Sequence, residues 1–305
     1  MKNFLTILDA ETAELKDIID TAITLKKERS VNIPHNTVLA GKSIALIFEK
    51  SSTRTRVSFE VGVRELGGHP LFLSGSDIQL GRGERIRDTA RVLSRYVHGI
   101  TLRTYGHSRL LELAEYSDVP VINALTDTHH PCQILADVLT FYERFGRYDG
   151  IKVAYIGDGN NIAHSWANAA ARFGFHLAIA SPAECAPDKE IISAAVKEAK
   201  KGGGKIDCSA DAQAAAYNAD VITTDVWASM GQEADAERKR GFLKPFQVNA
   251  ALMAKAAPHA VFMHCLPAHM GEEVTEEVFE SKSSAVFDEA ENRLHIHKAI
   301  MSKLF

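Results

Sequence analysis

The chain has 305 residues, of which 46% are hydrophobic and 24% charged, with a formal net charge of -4. That length suits two domains of about 150 residues each, and the balance of charge excludes the basic excess that nucleic acid or an anionic membrane surface calls for. Four cysteines, Cys132, Cys185, Cys208 and Cys265, lie far apart with no C-x-x-C pair; this argues against a zinc ribbon or a disulfide framework and suits a reducing, cytoplasmic setting. The N-terminal stretch has no signal-peptide pattern, and no segment is apolar enough to span a membrane.

In chain order, Asp9 is expected to cap a first helix whose apolar positions Leu15, Ile18, Ile19, Ala22 and Leu25 follow the 3.6-residue period. Ser43 to Phe48 is a short apolar run of buried-strand type, and Phe59, Val63 and Leu66 recur at helical spacing until Gly67-Gly68 stops them. Between strand and helix stands Ser52-Thr53-Arg54-Thr55-Arg56. One Ser and one Arg there would be a cap and a solvated cation. Three hydroxyls interleaved with two guanidiniums exceed that need and describe an anion site at a helix N-terminus, where free N–H groups and the dipole favour phosphate. It is not a P-loop, because the glycine-rich loop and its Lys are missing.

Pro70 to Leu73 reads as a second strand, followed by a polar loop from Ser74 to Glu84 that carries Gln79 and Arg82. A helix is expected over Asp88 to Val97, then strands over Gly99 to Arg103 and Val119 to Asn123. Arg103, at a strand's C-terminal end, falls where α/β sheets bind ligands. Pro131 suits the first position of a helix and forces His130 into an extended cap position, with Gln133 third in the helix. His130 either ends the loop as a cap or, beside a phosphate cradle, serves with Gln133 as a donor to the ligand.

Tyr148-Asp149-Gly150 marks the expected domain boundary. Ile151 to Ile156, Gly157-Asp158-Gly159-Asn160-Asn161, a helix to Phe173 and a strand through Ile179 form a strand–turn–helix–strand unit. A dinucleotide reading is weak, since Ile162 replaces the third glycine and no acid follows the second strand. Asn160 and Asn161 suit a polar amino-acid ligand instead. Lys189 to Lys201 is helical, Val221 to Thr224 is a strand leading to Asp225, an acid fit to receive an amine, and the basic triplet Arg238 to Arg240 reads as a solvated face. Ala260 to Met263 is the last strand, ending in His264-Cys265-Leu266-Pro267, where Cys265 is ligand, nucleophile or core filler. His264, Cys265 and His269 match no zinc spacing. Asp288 to Leu304 is a final helix bearing Arg293.

Three motifs stand together: Ser52-Thr53-Arg54-Thr55-Arg56, His130-Pro131-Cys132-Gln133 and His264-Cys265-Leu266-Pro267. With them the chain resembles the ornithine carbamoyltransferases from the first helix to Arg293 and beyond. The first two motifs are shared with aspartate carbamoyltransferases; Asp225-x-x-x-Ser229-Met230-Gly231, the third motif and the absence of Lys from Ser74 to Asp88 resemble the ornithine enzymes. The resemblance implies an α/β fold of two doubly wound domains, each with a mainly parallel sheet flanked by helices. Residues 1–147 would bind carbamoyl phosphate and 148–287 ornithine, with a C-terminal helix, 288–305, returning to the first. It also implies a cytoplasmic homotrimer with shared active sites, a place in arginine metabolism, and no metal or organic cofactor. By similarity Ser52, Thr53, Arg54, Thr55 and Arg103 hold the phosphate, with Gln79 reaching in from a neighbouring subunit. His130, Arg103 and Thr55 polarise the carbamoyl oxygen; Gln133, Cys265, Leu266 and Arg293 surround the carbamoyl group; Asn161, Asp225, Ser229 and Met230 contact ornithine. Alternative readings are a carbamoyltransferase for aspartate or another amino acid, a nicotinamide-dependent oxidoreductase using Gly157 and Gly159, and a non-catalytic protein that keeps the fold.

Overall fold

Short apolar runs that alternate with helical patterns leave two parallel sheets as the outcome, because the inner strands must bury both faces under crossover helices. The computed structural model describes residues 1–75, 78, 83–227 and 233–305. Among these the chain divides into two compact units, Met1–Ala136 with Glu291–Phe305, and Asp137–Ala290.

The first unit is built on β1 (Ser43–Phe48), β2 (His69–Ser74), β3 (Gly99–Arg103) and β4 (Val121–Leu125). They form a parallel four-stranded sheet of order β2-β1-β3-β4. All of β3 is buried, as is β1 beyond Ser43. Its helices are α1 (Thr12–Ser30), α2 (Thr53–Glu65), α3 (Ile86–Leu93) and α4 (His107–Tyr116). The first turn of α5 (Pro131–Phe145) and most of the final helix α12 (Val286–Leu304) also belong to this unit.

The second unit has β5 (Lys152–Ile156), β6 (His176–Ala180), β7 (Lys205–Ser209), β8 (Val221–Thr224) and β9 (Val261–His264). These make a parallel five-stranded sheet of order β7-β6-β5-β8-β9. Around it stand α6 (Asn161–Phe173), α7 (Lys189–Gly202), α8 (Ala212–Ala216), α9 (Glu233–Leu243), α10 (Ala250–Met253) and α11 (Glu276–Phe279). The strand order reverses between β1 and β3 in one sheet and between β5 and β8 in the other. At such a switch point neighbouring crossovers leave in opposite directions and open a crevice beyond the strands' C-terminal ends.

Several expected boundaries move. Asp9 does not cap α1: its Oδ2 accepts from the N–H groups of Leu5 and Thr6 at 2.7 and 2.8 Å, and Glu11 stands at the cap. The third helix starts at Ile86 and stops at Leu93, earlier than its pattern suggests, and α4, β7, α8, α9, α10 and α11 add to the expected set. β7 is a mostly exposed edge strand, so it lacks the apolar signature of its buried neighbours.

Two glycines separate backbone strain from collision. Gly41 (φ 74°) and Gly67 (φ 87°) both occupy the left-handed region, but a Cβ on Gly67 would lie 1.9 Å from the Asn36 carbonyl oxygen, whereas one on Gly41 meets nothing within 4 Å. Gly41→Ala is expected to cost about 1 kcal/mol for its positive φ. Gly67→Ala is expected to cost on the order of 4 kcal/mol or prevent folding, since backbone must also move. Urea denaturation of both variants measures the difference, and equal losses would refute it.

Candidate active site

One cluster of candidate residues lies at the β1/β3 switch point of the first unit. Ser52 takes the extended cap conformation (φ -165°, ψ 115°) and accepts from the Thr55 N–H at 3.3 Å, which starts α2 directly beyond β1. Thr55, 1% exposed, then faces inward from the first turn. Its Oγ1 accepts from Arg293 Nη2 at 2.5 Å and from Arg103 Nη1 at 3.5 Å. One hydroxyl thus joins α2, the end of β3 and α12. Arg54 precedes it, its buried Nε without a hydrogen-bond partner among the described residues. Thr53 is exposed at the start of the same helix.

Arg56 does not join this cluster. Its guanidinium lies 3.5 Å over the Phe72 ring, and its Nε donates to Glu60 at 2.8 Å, so one of the two arginines in the motif serves the helix surface. Behind the motif, Glu49 accepts from Arg109 at 2.6 Å and from the Thr104 hydroxyl. Lys50 donates to Asp127 at 2.5 Å across the Tyr105 ring. These contacts stitch together the loops after β1, β3 and β4, and nothing in the spacing of the residues foretold them.

His130 is 4% exposed and Gln133 fully buried. Burial, then Arg293, Arg103 and His297, hold the His130 pKa well below its ordinary value, so the ring is neutral at physiological pH and donates from one nitrogen only. Cys132, between them, turns into the core, where its thiol donates to the Asn123 carbonyl at 3.3 Å. Gln79 lies outside the described residues.

Another cluster lies at the β5/β8 switch point of the second unit. Asn160 caps α6 by accepting from the Ile162 N–H at 2.9 Å, and its Nδ2 donates to Asp225 Oδ2 at 2.7 Å. The other Asp225 oxygen accepts from the Val226 N–H at 2.8 Å and from the Cys265 thiol at 3.1 Å. Asp225 and Asn161 are 6% and 8% exposed. Asn160 is therefore the asparagine that holds Asp225, a role the order of the two residues does not reveal. Ser229 and Met230 lie outside the described residues. Asp158, by contrast, is neutralised by Lys239 at 2.7 Å.

The His264-Cys265-Leu266 turn is fixed from inside. His264 Nδ1 accepts from the Leu266 N–H at 2.9 Å, so Nε2 carries the proton and donates to Glu273 Oε1 at 3.1 Å. The His264 N–H donates to Glu289 at 2.8 Å. Leu266 adopts φ 58°, which turns the chain directly after Cys265. His269, Glu272 and Glu273 bring ligand atoms within 4.8 Å of one another. Glu273 already receives His264 and the His269 N–H, and Glu272 pairs with Arg240 at 3.1 Å.

Gly159 has a local reason to be glycine. A Cβ there would lie 2.2 Å from Pro187 N and 2.6 Å from the Cys185 carbonyl. The close approach that a dinucleotide pyrophosphate would need at this glycine is taken by the chain's own backbone.

Residues 2–143 match the family profile described as "Aspartate/ornithine carbamoyltransferase, carbamoyl-P binding domain", and residues 149–304 match "Aspartate/ornithine carbamoyltransferase, Asp/Orn binding domain". The ornithine carbamoyltransferase of Methanospirillum hungatei is 53% identical over 303 residues, covering 99% of each chain. The solved ornithine carbamoyltransferase from Pyrococcus furiosus superposes with a TM-score of 0.95 at 50% identity, covering 98% of this chain and 95% of that one. An anabolic ornithine carbamoyltransferase from Campylobacter jejuni gives a TM-score of 0.94 at 42% identity, covering 100% and 99%.

The cysteines make the electrostatics around Asp225 measurable. Burial, then the Asp225 charge, push the Cys265 thiol well above its usual pKa, and burial raises Cys132 to about 12. At pH 8 only about one Cys132 in ten thousand is thiolate. Asp225→Asn removes a charge that disfavours the Cys265 thiolate, so alkylation of Cys265 by iodoacetamide at pH 8 is expected to accelerate several-fold, while Cys132 stays unmodified and exposed Cys208 reacts in both proteins. Peptide mass spectrometry reads all three; an unchanged Cys265 rate would show that Asp225 does not govern the thiol.

Proposed function

The chain belongs to the aspartate/ornithine carbamoyltransferase family, and we propose that it transfers the carbamoyl group of carbamoyl phosphate to the δ-amine of L-ornithine, giving L-citrulline and phosphate. The observation that carries the choice of acceptor is Asp225: both of its oxygens are hydrogen-bonded, yet every donor to it among the described residues is neutral. A carboxylate held this way has no cationic side chain paired to it among the described residues, so it is open to a cationic amine and unfavourable for the second carboxylate of aspartate.

In this reading residues 1–147 with 288–305 bind carbamoyl phosphate, and 148–287 bind ornithine. Ser52, Thr53, Arg54, Thr55 and Arg103 hold the phosphate, joined by Gln79 of a neighbouring copy in a homotrimer. Arg103, neutral His130 and Thr55 donate to the carbamoyl oxygen, while Gln133, Cys265, Leu266 and Arg293 surround the carbamoyl group. Asn161, Asp225, Ser229 and Met230 receive ornithine. The neutral δ-amine attacks the carbamoyl carbon and forms a tetrahedral intermediate. Negative charge grows on the oxygen, the C–O bond to phosphate breaks, the nitrogen gives up a proton, and phosphate leaves toward the arginines. Donors preorganised around that charge lower the barrier, each by roughly 3 kcal/mol where such donors have been removed from oxyanion sites. The protonated Cys265 thiol bonds to Asp225 and acts as a binding group, with no covalent intermediate. No helix of the described residues is long and apolar enough to cross a membrane, and four free cysteines fit a cytoplasmic enzyme of arginine metabolism.

The test is citrulline formation by the purified protein, with aspartate and other amines as competing acceptors; carbamoyl-aspartate as the main product would overturn the acceptor. Arg54→Ala is expected to weaken carbamoyl phosphate binding about 100-fold, the loss of a charge-assisted contact worth on the order of 3 kcal/mol. Calorimetric titration measures it, and unaltered affinity would remove Arg54 from the site.

Activity is expected to rise from pH 6 toward alkaline pH. A free alkyl amine has a pKa of about 10.4, so the nucleophilic form is scarce at neutrality. His130 contributes nothing to that rise, because its depressed pKa leaves it neutral across the whole range. His130→Gln should therefore lower kcat on the order of 100-fold without moving the rising limb of kcat/KM for ornithine. A limb that disappears in the variant would make His130 the titrating group.

A further inference from the structure

We propose that His297 and Gly62 are positioning residues for Arg293, setting the register of α12 against α2 so that its guanidinium meets Thr55. The inference rests on the reading of Arg293 as part of the carbamoyl phosphate site. Contacts between the two helices advance in step. Arg293 meets Thr55 at 2.5 Å; one turn on, the His297 ring stacks on Phe59 with centroids 3.7 Å apart and planes 11° from parallel. Beyond these, Gly62 faces Leu294, Lys298 and Met301, and Lys298 Nζ donates to Glu65 at 2.7 Å. Residues three and four apart share a helix face, so this row is one continuous seam in which both helices run the same way.

Neither residue is explained by stability alone. A glycine in mid-helix costs about 1 kcal/mol against alanine. Gly62 lies inside α2, where a Cβ would sit 3.2 Å from Met301 Cε and 3.3 Å from Lys298 Cγ. The missing side chain lets the helices close to the distance at which the two rings stack. His297 is fully buried, and neither ring nitrogen has a hydrogen-bond partner among the described residues. Such nitrogens are costly to bury, and an aliphatic side chain would fill the space without that cost. What the imidazole supplies is a flat ring that stacks on Phe59. Burial and the neighbouring Arg293 keep it neutral, so it places no second charge against that guanidinium.

Lys298 holds the next turn independently. Its buried ammonium contacts Glu65 and, at 3.0 Å, His35, whose other nitrogen donates to Glu28 at 2.9 Å. Loss of the ring stack therefore frees the turn that carries Arg293 while α12 stays attached through the ion pair.

The test compares His297→Ala, His297→Phe and Ile300→Ala, the last a loss of core volume at a fully buried position one turn further along. Kinetics are measured with carbamoyl phosphate and ornithine varied in turn, alongside the melting temperature. His297→Ala is expected to raise KM for carbamoyl phosphate about 10-fold and to lower kcat, with KM for ornithine within twofold of the parent. His297→Phe, which keeps a flat ring against Phe59, should recover most of the loss. Ile300→Ala should melt earlier with unchanged kinetic constants. The proposal is overturned by normal kinetics in His297→Ala, by an equal KM rise in Ile300→Ala, or by failure of His297→Phe to recover affinity. A parent protein that forms no citrulline in the same assay would instead remove the functional reading, and this proposal with it.

Discussion

Two guanidinium groups converge on the hydroxyl of Thr55, and the rest of the first unit is arranged to hold them there. Like charges side by side repel, and partial burial removes the water that would screen them. The arrangement persists because the three groups come from elements fixed for separate reasons. Arg103 ends a fully buried strand, Thr55 opens a capped helix, and Arg293 rides on a helix anchored through Lys298. In the proposed reaction an incoming phosphate would meet positive charge already in place, so little reorganisation would oppose its binding or the growth of charge. Neutral His130 belongs to the same electrostatic balance: a third cation beside Arg103 and Arg293 would add repulsion, and burial has removed its proton.

The second unit handles charge the other way. Its two acids near the β5 and β8 ends are treated differently, although both are almost completely buried. Asp158 is paired with Lys239 and serves structure, while Asp225 is held by an amide, a backbone N–H and a thiol. Only the second has no cationic partner among the described residues. The His264–Glu273 pair, fully buried at both ends, fixes the turn that delivers the thiol. The pair stabilises a shape, with Cys265 as the group exposed to its partner.

Much of this was legible in the sequence because parallel sheets write themselves plainly. β1, β3 and β8 are buried on both faces, so continuous apolar runs mark them, and their C-terminal ends point to the crevice without further information. The resemblance supplied what periodicity lacks, namely that Arg293, far along the chain, belongs with the Ser52 to Arg56 motif. The misreadings have local causes. β7 is hidden in the sequence because an exposed edge strand carries polar residues, and Asp9 has the pattern of a cap while its use by Leu5 and Thr6 depends on a turn no pattern marks. Arg56 looked equivalent to Arg54 until Phe72 claimed it. Asn160 and Lys50 act through partners distant in sequence, and long-range pairing of single polar residues leaves no periodic trace. Gln79, Ser229 and Met230 lie outside the described residues.

The first unit is discontinuous: its sheet is complete by residue 125, yet the helix carrying Arg293 follows only after residues 137–290 have been made. During synthesis from the N-terminus, the nascent sheet therefore emerges with Gly62 and Phe59 facing no partner and with Thr55 lacking one of its two guanidiniums. A chain halted anywhere before α12 holds an unfinished anion site over an uncovered apolar seam. The residues that close this seam are thus the last the ribosome adds, and a truncated chain presents the apolar surface that chaperones and proteases act upon.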